Sequence, residues 1–407
     1  MLEARGKYNI AKIFTYNIEE TAYGQIIELC NQKAFEETKI RIMPDTHSGK
    51  GCVIGFTAAL GNKIVPNLIG VDIGCGMRVT ELGDIDIDFE ALDHFIRNNI
   101  PHGHGINKDY DKSWNGSNLQ LQIIDIAHRT DTDPERHLKG IGSLGGGNHF
   151  IEINVDSKGN KYLVIHSGSR NLGLQVAKYH QQKAEEYCSA KLKEIQNQMN
   201  KEIGLHRQSN NTKAIQSTIA KYDEIKSEYQ VPKALMFLEG DQAQEYLDDM
   251  YVAQEFAMWN RYTMAQRIID FLGLNNVKSF ESVHNFISPY DKVIRKGATS
   301  AHKGEKLIIP INMRDGSIIA VGKGNDDWNN SAPHGAGRLM SRSKAKEMLT
   351  LDEFSETMKD VWTSSVGDST LDEAPMAYKP IEEILQNIGD TVEVLEVIKP
   401  LYNFKAH

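Results

Sequence analysis

The chain has 407 residues, with 46 Lys and Arg against 55 Asp and Glu, which gives a formal net charge of −9 at pH 7. This balance counts against a protein that binds nucleic acid over its whole surface, so an RNA or DNA partner needs a local basic groove. No apolar run approaches the roughly 18 residues of a membrane-spanning helix, and the N-terminal MLEARGKYNIAK does not resemble a signal peptide. We therefore expect a cytoplasmic protein without a membrane partner.

The four cysteines, Cys30, Cys52, Cys75 and Cys188, are scattered along the chain without a paired spacing. A disulfide framework shows cysteines at regular spacings in a small secreted domain, so reduced thiols are the better interpretation. Hydrophobic residues make up 40% of the chain, which is enough for a sizeable core. A chain of this length forms one large domain or two interlocked domains.

Short apolar runs broken by glycines dominate the chain up to residue 171. They are typical of short strands or buried segments, and they read IIELC, CVIGFTAAL, NLIGVDIG, HFIEINV and KYLVIHSGS. From about residue 172 to 229, AKYHQQKAEEYCSAKLKEIQNQMNKEI and TKAIQSTIAKYDEIKSEY combine helical periodicity with dense charge. These two runs predict an exposed helical hairpin, with HRQSNNT as its polar turn.

A further helical run, DQAQEYLDDMYVAQEFAMWNRYTMAQRIIDFLGL, follows, and its Met, Phe and Leu positions predict a face packed in the core. From about residue 277 the glycine-punctuated strand pattern returns and continues to the C-terminus. We therefore predict the α+β class, with one body of mixed β-sheets and helices over residues 1–407. The charged helical hairpin is inserted into this body at about residues 172–230.

Five of the 14 histidines stand in turns of glycine or other small residues that follow apolar segments, and they are His47, His149, His166, His284 and His334. Ligands and catalytic groups are common in such loops at strand ends. Most of the others lie in polar or helical segments, among them His94, His128, His137, His180 and His206. We assign those to the surface or to core packing.

Two loops combine an aspartate with a second reactive side chain. PDTHSGKGCVIG places Asp45 two residues before His47, so both face the same way in an extended segment, although a turn capped by Asp45 explains it equally well. GVDIGCGMR places Asp72 three residues before Cys75, between glycines. A carboxylate and a thiolate on one loop suit a borderline or soft divalent ion. The alternative is a buried structural cysteine.

SLGGGNHFIEI has three glycines before Asn148, His149 and Glu152. Glycines let the backbone approach a ligand closely and leave N–H groups unblocked. If NHFIE is a strand, Asn148 and Glu152 share one face and His149 takes the other. The two faces then serve two neighbouring ligands.

VIHSGSRNLG and SVHNFIS each place a histidine, His166 or His284, at the end of an apolar segment. Alone, each is a structural histidine. Together with Asp72, Cys75 and His149 they give one carboxylate, one thiolate and three imidazoles, more than a single tetrahedral ion needs. Two ions that share a bridging ligand use the whole set, and Mn²⁺, Zn²⁺, Fe²⁺ and Co²⁺ all remain open.

In SAPHGAGRLMSR a single histidine, His334, follows a proline and precedes two glycines and two arginines, Arg338 and Arg342. An unencumbered imidazole beside guanidinium groups that match phosphate oxygens suits nucleophilic attack on phosphorus. The alternative is a capping histidine in a turn. Upstream, RKGATSAHKGEKLIIPINMRDGSIIAVGKGN supplies further lysines that either neutralise phosphates or lie in solvated loops.

These motifs, taken together, resemble the RtcB-type, GTP-dependent RNA ligases, the tRNA-splicing ligase family. The resemblance runs nearly end to end and rests on PDTHSGKGCVIG, GVDIGCGM, GGGNHFIE, HSGSRNLG, His284-Asn285, RKGATSAHKGE, GKGN and SAPHGAGRLMSR, in that order. It implies an enzyme that joins RNA 3′-phosphate or 2′,3′-cyclic phosphate ends to 5′-hydroxyl ends. His334 then attacks the α-phosphate of GTP, GMP passes to the RNA 3′-phosphate, and the 5′-hydroxyl displaces GMP.

The resemblance also implies ligands. Two Mn²⁺ ions share Cys75, with Asp72 and His149 on one ion and His166 and His284 on the other. The implied nucleotide-binding residues are Asn148, His149, Phe150, Ile151, Glu152, His284, Asn285, Pro310, Ile311, Asn312, Met313, Ser317, His334, Gly335, Ala336, Gly337 and Lys405. Glu152 is expected to accept hydrogen bonds from guanine N1–H and its amino group, which favours G over A.

One stretch departs from the family pattern. Many members carry Pro-Gly-Ser-Met-Gly in the nucleotide pocket, where this chain has Pro310-Ile311-Asn312-Met313-Arg314, with Ser317 shortly after. Because isoleucine and arginine replace glycines, the backbone around the nucleotide is expected to differ.

Two other functions remain open. The first is a metal-dependent cyclic phosphodiesterase that uses the same ligands without ligation, and the second is a non-catalytic RNA-binding factor. Either ligase role, tRNA splicing or RNA repair, needs a basic patch in this acidic chain, and we expect it around Arg170, Lys296, Lys323, Arg338 and Arg342. We expect a monomer.

Overall fold

The computed structural model describes residues 1–406, in which strands and helices alternate along the chain. The helices are α1 Glu20–Cys30, α2 Phe89–Asn99, α3 Asn118–Arg129, α4 Pro134–Leu138, α5 Arg170–Gln208, α6 Thr212–Tyr229, α7 Gly240–Phe271, α8 Arg342–Met348, α9 Leu351–Thr357 and α10 Ile381–Ile388. The strands are β1 Leu2–Arg5, β2 Ile10–Ile13, β3 Ile40–His47, β4 Ile54–Ala59, β5 Gly76–Gly83, β6 Phe150–Val155, β7 Lys161–Ser167, β8 Ser279–Val283, β9 Asn285–Ile287, β10 Val293–Lys296, β11 Ala298–Ser300, β12 Lys306–Asn312, β13 Gly316–Gly322, β14 Ser331–Pro333, β15 Trp362–Thr363 and β16 Val392–Lys405.

The largest sheet has the strand order β12-β13-β16-β6-β7-β5-β8, and the short β15 pairs alongside β16. Neighbours in that order are antiparallel, which brings strand ends from distant parts of the chain to the same edge. A second sheet has the order β1-β2-β3-β4-β10-β9, and β11 pairs with β14. The mixture of sheets and helices confirms the predicted α+β class.

Both faces of the largest sheet are buried, because its strands alternate between two apolar clusters. Ile151 and Ile153 of β6, with Ile165 of β7, pack on the side covered by α2 and α7. Phe150 and Val164 point the other way, into a cluster with residues of β5, β12, β13 and β16. Alternation with a period of two residues produces this division, so each strand contributes to two layers at once.

The helical runs in the middle of the chain are confirmed. α5 and α6 form a helical hairpin whose turn lies within HRQSNNT, and its outer part is held by a small cluster of Ile195, Met199, Ile203 and Tyr222. α7 buries one face in the core, as its apolar spacing predicts, with Phe256 and Met264 fully covered.

Two of the apolar runs read as strands or buried segments are buried without being strands. IIELC lies in α1, where Ala22, Ile26 and Leu29 recur at helical spacing and are fully buried. Residues Pro66–Leu68 form a 3₁₀ turn rather than a strand. A short apolar run does not distinguish the two states, and the periodicity upstream of IIELC decides in favour of the helix.

All four cysteines are free and buried. Among the helices in the part of the chain that the structure describes, none is long and apolar enough to cross a membrane.

Arg261 of α7 fastens the strand ends to the helix layer. Its side chain is fully buried, and Nη1 donates to the carbonyl oxygens of Gly74 (2.8 Å) and Ser167 (2.9 Å). Nη2 donates to Glu281 Oε2 at 2.6 Å. Three separate segments are thereby tied together directly beside Cys75 and His166.

Replacement of Arg261 tests how much it contributes to the stability of the fold. Arg261→Met leaves Glu281 without its main buried partner and two carbonyls unsatisfied, so we expect the free energy of unfolding to fall by about 3 kcal/mol. Urea denaturation followed by circular dichroism measures the change. Arg5→Met, at an exposed arginine paired with Glu3, serves as control and should change stability by less than about 0.5 kcal/mol. Equal unfolding midpoints for the two variants would contradict the assignment.

Candidate functional site

Four strand ends of the largest sheet bring the predicted metal ligands together. Cys75 comes immediately before β5, His149 immediately before β6, and His284 immediately after β8. His166 lies near the end of β7, where it pairs with Met77 on one side and Phe150 on the other. The antiparallel order thus places residues separated by more than 200 positions at one edge.

The side-chain atoms converge closely enough to hold metal ions. Cys75 Sγ lies 3.5 Å from His149 Nε2 and 3.3 Å from His166 Nε2. His149 Nε2 lies 2.9 Å from the Asp72 carboxylate, and the Nε2 atoms of His166 and His284 are 3.3 Å apart. Two groups result, Asp72-Cys75-His149 and Cys75-His166-His284, with Cys75 in both.

The environment of the imidazoles fits a metal site. His149 Nδ1 bonds to the carbonyl oxygen of Leu144 (2.8 Å), and His166 Nδ1 bonds to that of Asn148 (3.1 Å). A carbonyl oxygen accepts only, so Nδ1 carries the proton in both rings and Nε2 is free to ligate. Burial lowers the pKa of His166 and His284 well below the usual value, which keeps these rings neutral as ligands must be.

Burial raises the pKa of the Cys75 thiol well above its usual value, and the nearby Asp72 carboxylate adds to this effect. Thiolate formation here therefore needs a positive charge close by, which a divalent cation supplies. A site that combines a carboxylate, a shared thiol and three neutral imidazoles is suited to divalent ions.

His334 lies beside these groups and is held by a buried aspartate. Asp45 Oδ2 accepts hydrogen bonds from His334 Nδ1 (2.6 Å), from the backbone N–H of His334 (3.1 Å) and from that of Gly335 (3.2 Å). The Asp45 side chain is fully buried, whereas 17% of the His334 side chain is exposed. Because Nδ1 donates to a carboxylate, Nε2 keeps its lone pair.

The glycines after His334 allow the backbone of this loop to lie close to Asp45. Gly337 has φ +77°, and a Cβ there would lie 2.3 Å from the carbonyl oxygen of Asp45. Only glycine fits, so the loop can fold against the end of β3. The His334 ring is 4.8 Å from that of His284, measured between centroids, so the imidazole lies beside the group of Cys75, His166 and His284.

Two cavities meet at this centre. We call the one of smaller volume the narrow cavity and the one of larger volume the wide cavity. The narrow cavity, about 140 Å³, is lined by His47, Asn148, Phe150, Glu152, His166, Pro310, Ile311, Asn312, Met313, Gly316, Ser317, His334, Gly335, Ala336, Gly337, Arg338, Arg342, Glu373, Tyr378 and Lys405. The wide cavity, about 640 Å³, contains Asp72 and His149 in its wall, with Arg136, Arg170, Arg342 and Lys346. Arg342 and Glu373 belong to both walls.

The alternation expected for NHFIE is confirmed, since Asn148 and Glu152 face the narrow cavity and His149 faces the wide one. Glu152 is buried and accepts hydrogen bonds from the side-chain amides of Asn154 (3.2 Å) and Asn403 (2.6 Å). Burial raises the pKa of Glu152 to about 7.

The stretch Pro310-Ile311-Asn312-Met313-Arg314, which departs from the family pattern, forms the end of β12 and the start of the turn into β13. Asn312 Oδ1 accepts from the backbone N–H groups of Arg314 (3.0 Å) and Asp315 (2.9 Å), and its Nδ2 donates to Asp315. Met313 is buried among Phe354, Met358, Val361, Leu371 and Ala374. The turn is thus closed by its own side chains and anchored in the core.

Comparison with known proteins identifies the family. The model of the family described as tRNA-splicing ligase RtcB matches residues 29–132 and 104–406. The chain belongs to the RtcB family. The family expected from the motifs is therefore confirmed.

Named relatives cover most of this RtcB chain. It is 28% identical to the RNA-splicing ligase RtcB of Escherichia coli (strain K12), over 96% of this chain and 95% of that protein. It is also 28% identical to the tRNA-splicing ligase RtcB of Nanoarchaeum equitans, over 85% of this chain and 83% of the relative. The RNA-splicing ligase RtcB2 of another Escherichia coli strain is 26% identical over 84% of this chain and 81% of its own length.

Not all residues expected in the nucleotide site of this RtcB chain lie in the narrow cavity. Ile151 packs in the core below β6. Asn285 supports the site through its side chain, which donates to the carbonyl oxygen of Asp72 (3.1 Å) and accepts from the Gly297 N–H (2.9 Å). His149 and His284 belong to the metal-capable groups.

The expected basic patch forms only in part. Arg170 and Arg342 line the wide cavity, and Arg338 and Arg342 the narrow one, but the expectation is wrong for two lysines. The Lys296 ammonium is buried against the carbonyl oxygens of Lys50 (2.5 Å), Cys52 (3.1 Å) and Asn67 (3.0 Å). Lys323 donates to the carbonyl oxygen of Gly389.

Sequence reasoning missed several residues that the RtcB fold brings here. Asp45 was left open between a turn cap and a site residue, although an aspartate at the end of the apolar run IRIMPDTH was a usable signal. Arg136, Lys346, Glu373 and Tyr378 stand in segments with no distinguishing pattern. They reach the site only through the tertiary fold.

Metal binding provides a test of the shared thiol. Cys75→Ala should weaken binding of Mn²⁺ at both groups because both use its Sγ, whereas His284→Ala should weaken only the group that contains it. Equilibrium dialysis with elemental analysis gives the number of ions per chain. Cys188→Ala, at a buried free cysteine of α5 far from both groups, is the control. An unchanged ion count in Cys75→Ala would refute a bridging thiolate.

Proposed function

We propose that this chain is an RNA ligase that joins 3′-phosphate or 2′,3′-cyclic phosphate ends to 5′-hydroxyl ends, using GTP and Mn²⁺ through a guanylyl-histidine at His334. The observation that carries the proposal is the imidazole of His334, which is held at Nδ1 by Asp45 and lies against the ring of His284 in one metal-capable group. The printed names of the relatives, RNA-splicing ligase and tRNA-splicing ligase, agree with this activity.

The Asp45–His334 pair defines the first step. His334 Nε2 attacks the α-phosphorus of GTP, a P–N bond forms, and the P–O bond to the β-phosphate breaks with loss of pyrophosphate. Positive charge develops on the ring as this bond forms. The buried Asp45 carboxylate stabilises that charge and keeps the ring in the productive tautomer, since it accepts the Nδ1 proton.

The later steps regenerate His334. An oxygen of the RNA 3′-phosphate attacks the same phosphorus, the P–N bond breaks, and the imidazole is free again. The RNA 5′-hydroxyl then attacks the phosphorus of the RNA 3′-phosphate and GMP leaves. A 2′,3′-cyclic phosphate is first opened by water to give the 3′-phosphate.

The metal-capable groups provide the electrostatic contribution to the proposed reaction. The set fits Mn²⁺: Asp72 and His149 would hold one ion, His166 and His284 the other, and Cys75 belongs to both groups. Divalent ions bound there would polarise phosphate oxygens and stabilise charge during an in-line displacement. His149 and His166 present Nε2 to them because Leu144 and Asn148 hold the other nitrogen.

The wide cavity is the proposed place for the RNA ends. Its wall carries Arg136, Arg170, Arg342 and Lys346 against Asp72, Asp372 and Glu373. Arg342 and Lys346 pair with Asp372, so the local positive charge in this chain of net charge −9 comes mainly from Arg136 and Arg170. Asp72 and His149 also face the wide cavity, so a terminal phosphate bound there reaches the metal-capable groups. We further propose that the charged helical hairpin of α5 and α6 is an insertion that influences which RNA binds.

The narrow cavity fits the nucleotide. Ser317 Oγ in its wall is buried and has no hydrogen-bond partner within residues 1–406, so a bound hydroxyl or base group can satisfy it. Glu152, Phe150 and Lys405 line the same cavity. A carboxylate there accepts hydrogen bonds from guanine N1–H and its amino group, which adenine cannot offer together.

We propose that the enzyme works as a cytoplasmic monomer. The four free, buried cysteines suit a reducing compartment.

Intact-protein mass spectrometry tests the covalent intermediate. After incubation with GTP and Mn²⁺, the chain should gain the mass of GMP, and His334→Ala should gain nothing because the nucleophile is gone. His128→Ala, at an exposed histidine of α3 outside both cavities, is the matched control and should be labelled like the wild type.

Absence of a nucleotide adduct in the wild type with GTP or ATP would remove the ligase mechanism. If the same preparation still opened a 2′,3′-cyclic phosphate, the metal-dependent phosphodiesterase would become the better assignment, because hydrolysis needs the metals without a nucleotidylated histidine.

The raised pKa of Glu152 predicts a pH dependence of nucleotide binding. Protonation becomes appreciable as pH falls through about 7, and a protonated carboxyl loses an acceptor for guanine, so the KM for GTP should rise several-fold between pH 8 and 6. The measurement is the rate of His334 labelling at varied GTP. Dividing by the values for Glu152→Gln cancels the titration of the metal ligands. A ratio independent of pH would show that Glu152 does not bind the base in its ionised form.

A further inference from the structure

Glu373 is a buried carboxylate in the wall between the two cavities. Only 3% of its side chain is exposed, and it accepts hydrogen bonds from Tyr378 Oη (2.6 Å), Lys405 Nζ (2.9 Å) and Arg338 Nη1 (3.4 Å). Arg342 also pairs with it. Burial opposes its ionisation, but Lys405 and Arg342 lower the pKa of Glu373 to about 2, so it carries a full negative charge.

Lys405 lies between this carboxylate and a second one. In the pairing of β16 with β6, Lys405 is opposite Phe150 and Asn403 is opposite Glu152. Lys405 and Glu152 are therefore diagonal neighbours on one face of the sheet, which puts their Cβ atoms about 7–8 Å apart, within reach of a long side chain. Lys405 and Glu152 both line the narrow cavity.

One ammonium that can reach two buried carboxylates has two possible partners, and the structure shows it hydrogen-bonded to Glu373. Glu152 is left with two amide donors, Asn154 and Asn403, which do not use all the acceptor positions of a carboxylate. If Lys405 paired with Glu152 instead, the two charges would neutralise each other inside a low-dielectric pocket. The pair would use a donor of the ammonium and an acceptor position of the carboxylate, so both groups would bind a ligand less strongly.

We propose that Glu373 is a positioning residue that sets nucleotide choice, because it holds Lys405 apart from Glu152 so that the two present a donor and an acceptor side by side to a guanine base. The inference rests on the function proposed above for the narrow cavity.

The arrangement matches one purine edge. Guanine carries an acceptor, O6, beside the donors N1–H and the 2-amino group, so an ammonium and a carboxylate side by side complement it. Adenine carries a donor, the 6-amino group, beside an acceptor, N1, which meets the ammonium and the carboxylate with the wrong sign. Adenine therefore leaves buried polar groups unpaired, and this kind of mismatch gives strong discrimination.

Replacement of Glu373 tests this inference. Glu373→Gln keeps the size and removes the charge, so Lys405 should turn to Glu152. For His334 labelling with Mn²⁺, we expect the preference for GTP over ATP, measured as the ratio of kcat/KM, to fall at least tenfold. The loss should appear as a higher KM for GTP with kcat changed less than threefold. Lys405→Met should give the same loss, and the double variant no more than either single one.

The neighbouring Asp372 provides the matched control. It pairs with Arg342 (2.6 Å) and Lys346 (3.4 Å) on the side of the wide cavity, and none of its ion pairs within residues 1–406 involves Lys405. Asp372→Asn should therefore leave the ratio of GTP to ATP unchanged. If Glu373→Gln does not fold, as judged by circular dichroism, Glu373→Asp keeps the charge with a shorter reach and should show a smaller loss of preference.

An undiminished preference for GTP in a folded Glu373→Gln, in an enzyme that still labels His334, would overturn this inference alone. A loss of preference equally large in Asp372→Asn would also overturn it, since a general disturbance of the wall would then explain the effect. Absence of labelling in the wild type would instead refute the proposed function.

Discussion

The hydrogen bond between His334 and the buried carboxylate of Asp45 is the interaction on which the rest of the site depends. It fixes the orientation of the ring and decides which nitrogen carries the proton, and the ring lies 4.8 Å from that of His284, measured between centroids. The same carboxylate oxygen accepts two backbone N–H groups, so the loop after β14 and the end of β3 are joined at one atom. The glycine at position 337 permits this contact because no side chain would fit.

The largest sheet makes the second half of the site possible. Ligand residues are far apart in the chain, but antiparallel pairing brings the ends of β5, β6, β7 and β8 to one edge. The strands β5, β6 and β7 are largely buried, and Arg261 fastens the ends of β5 and β7 to α7. The ligand atoms therefore inherit the rigidity of the core, as a preorganised site requires.

Residue type and local setting predicted which side chains the fold brings together in the metal-capable groups. The cysteine, the aspartate and the histidines stood in glycine-rich turns after apolar segments, and the structure brings Asp72, Cys75, His149, His166 and His284 together. The charged helical hairpin and the core face of α7 also followed from periodicity. These features have local causes, which a sequence carries without knowledge of the fold.

Features with distant causes could not be predicted in the same way. Asp45 and His334 are separated by 289 positions. Neither segment has a sequence feature that predicts contact with the other. Lys296 lies in a segment rich in glycine and lysine that suits phosphate binding. Its position in the strand nevertheless directs the ammonium toward three buried carbonyl oxygens. In the sequence, Glu373 cannot be distinguished from a surface glutamate. In the structure it is surrounded by Lys405, Tyr378 and the arginines. In each case the partner, which only the fold supplies, decides the role.

The turn between β12 and β13 has a consequence for the thermodynamics of the nucleotide binding proposed for the narrow cavity. A glycine-rich wall has many conformations, and a ligand that selects one of them loses binding energy to the ordering. Here Asn312 closes the turn and Met313 anchors it in an apolar cluster, so the wall is already ordered. The entropy of ordering this wall is therefore lost during folding and not on binding. The heat-capacity change on nucleotide binding should reflect only the surface that the ligand itself covers.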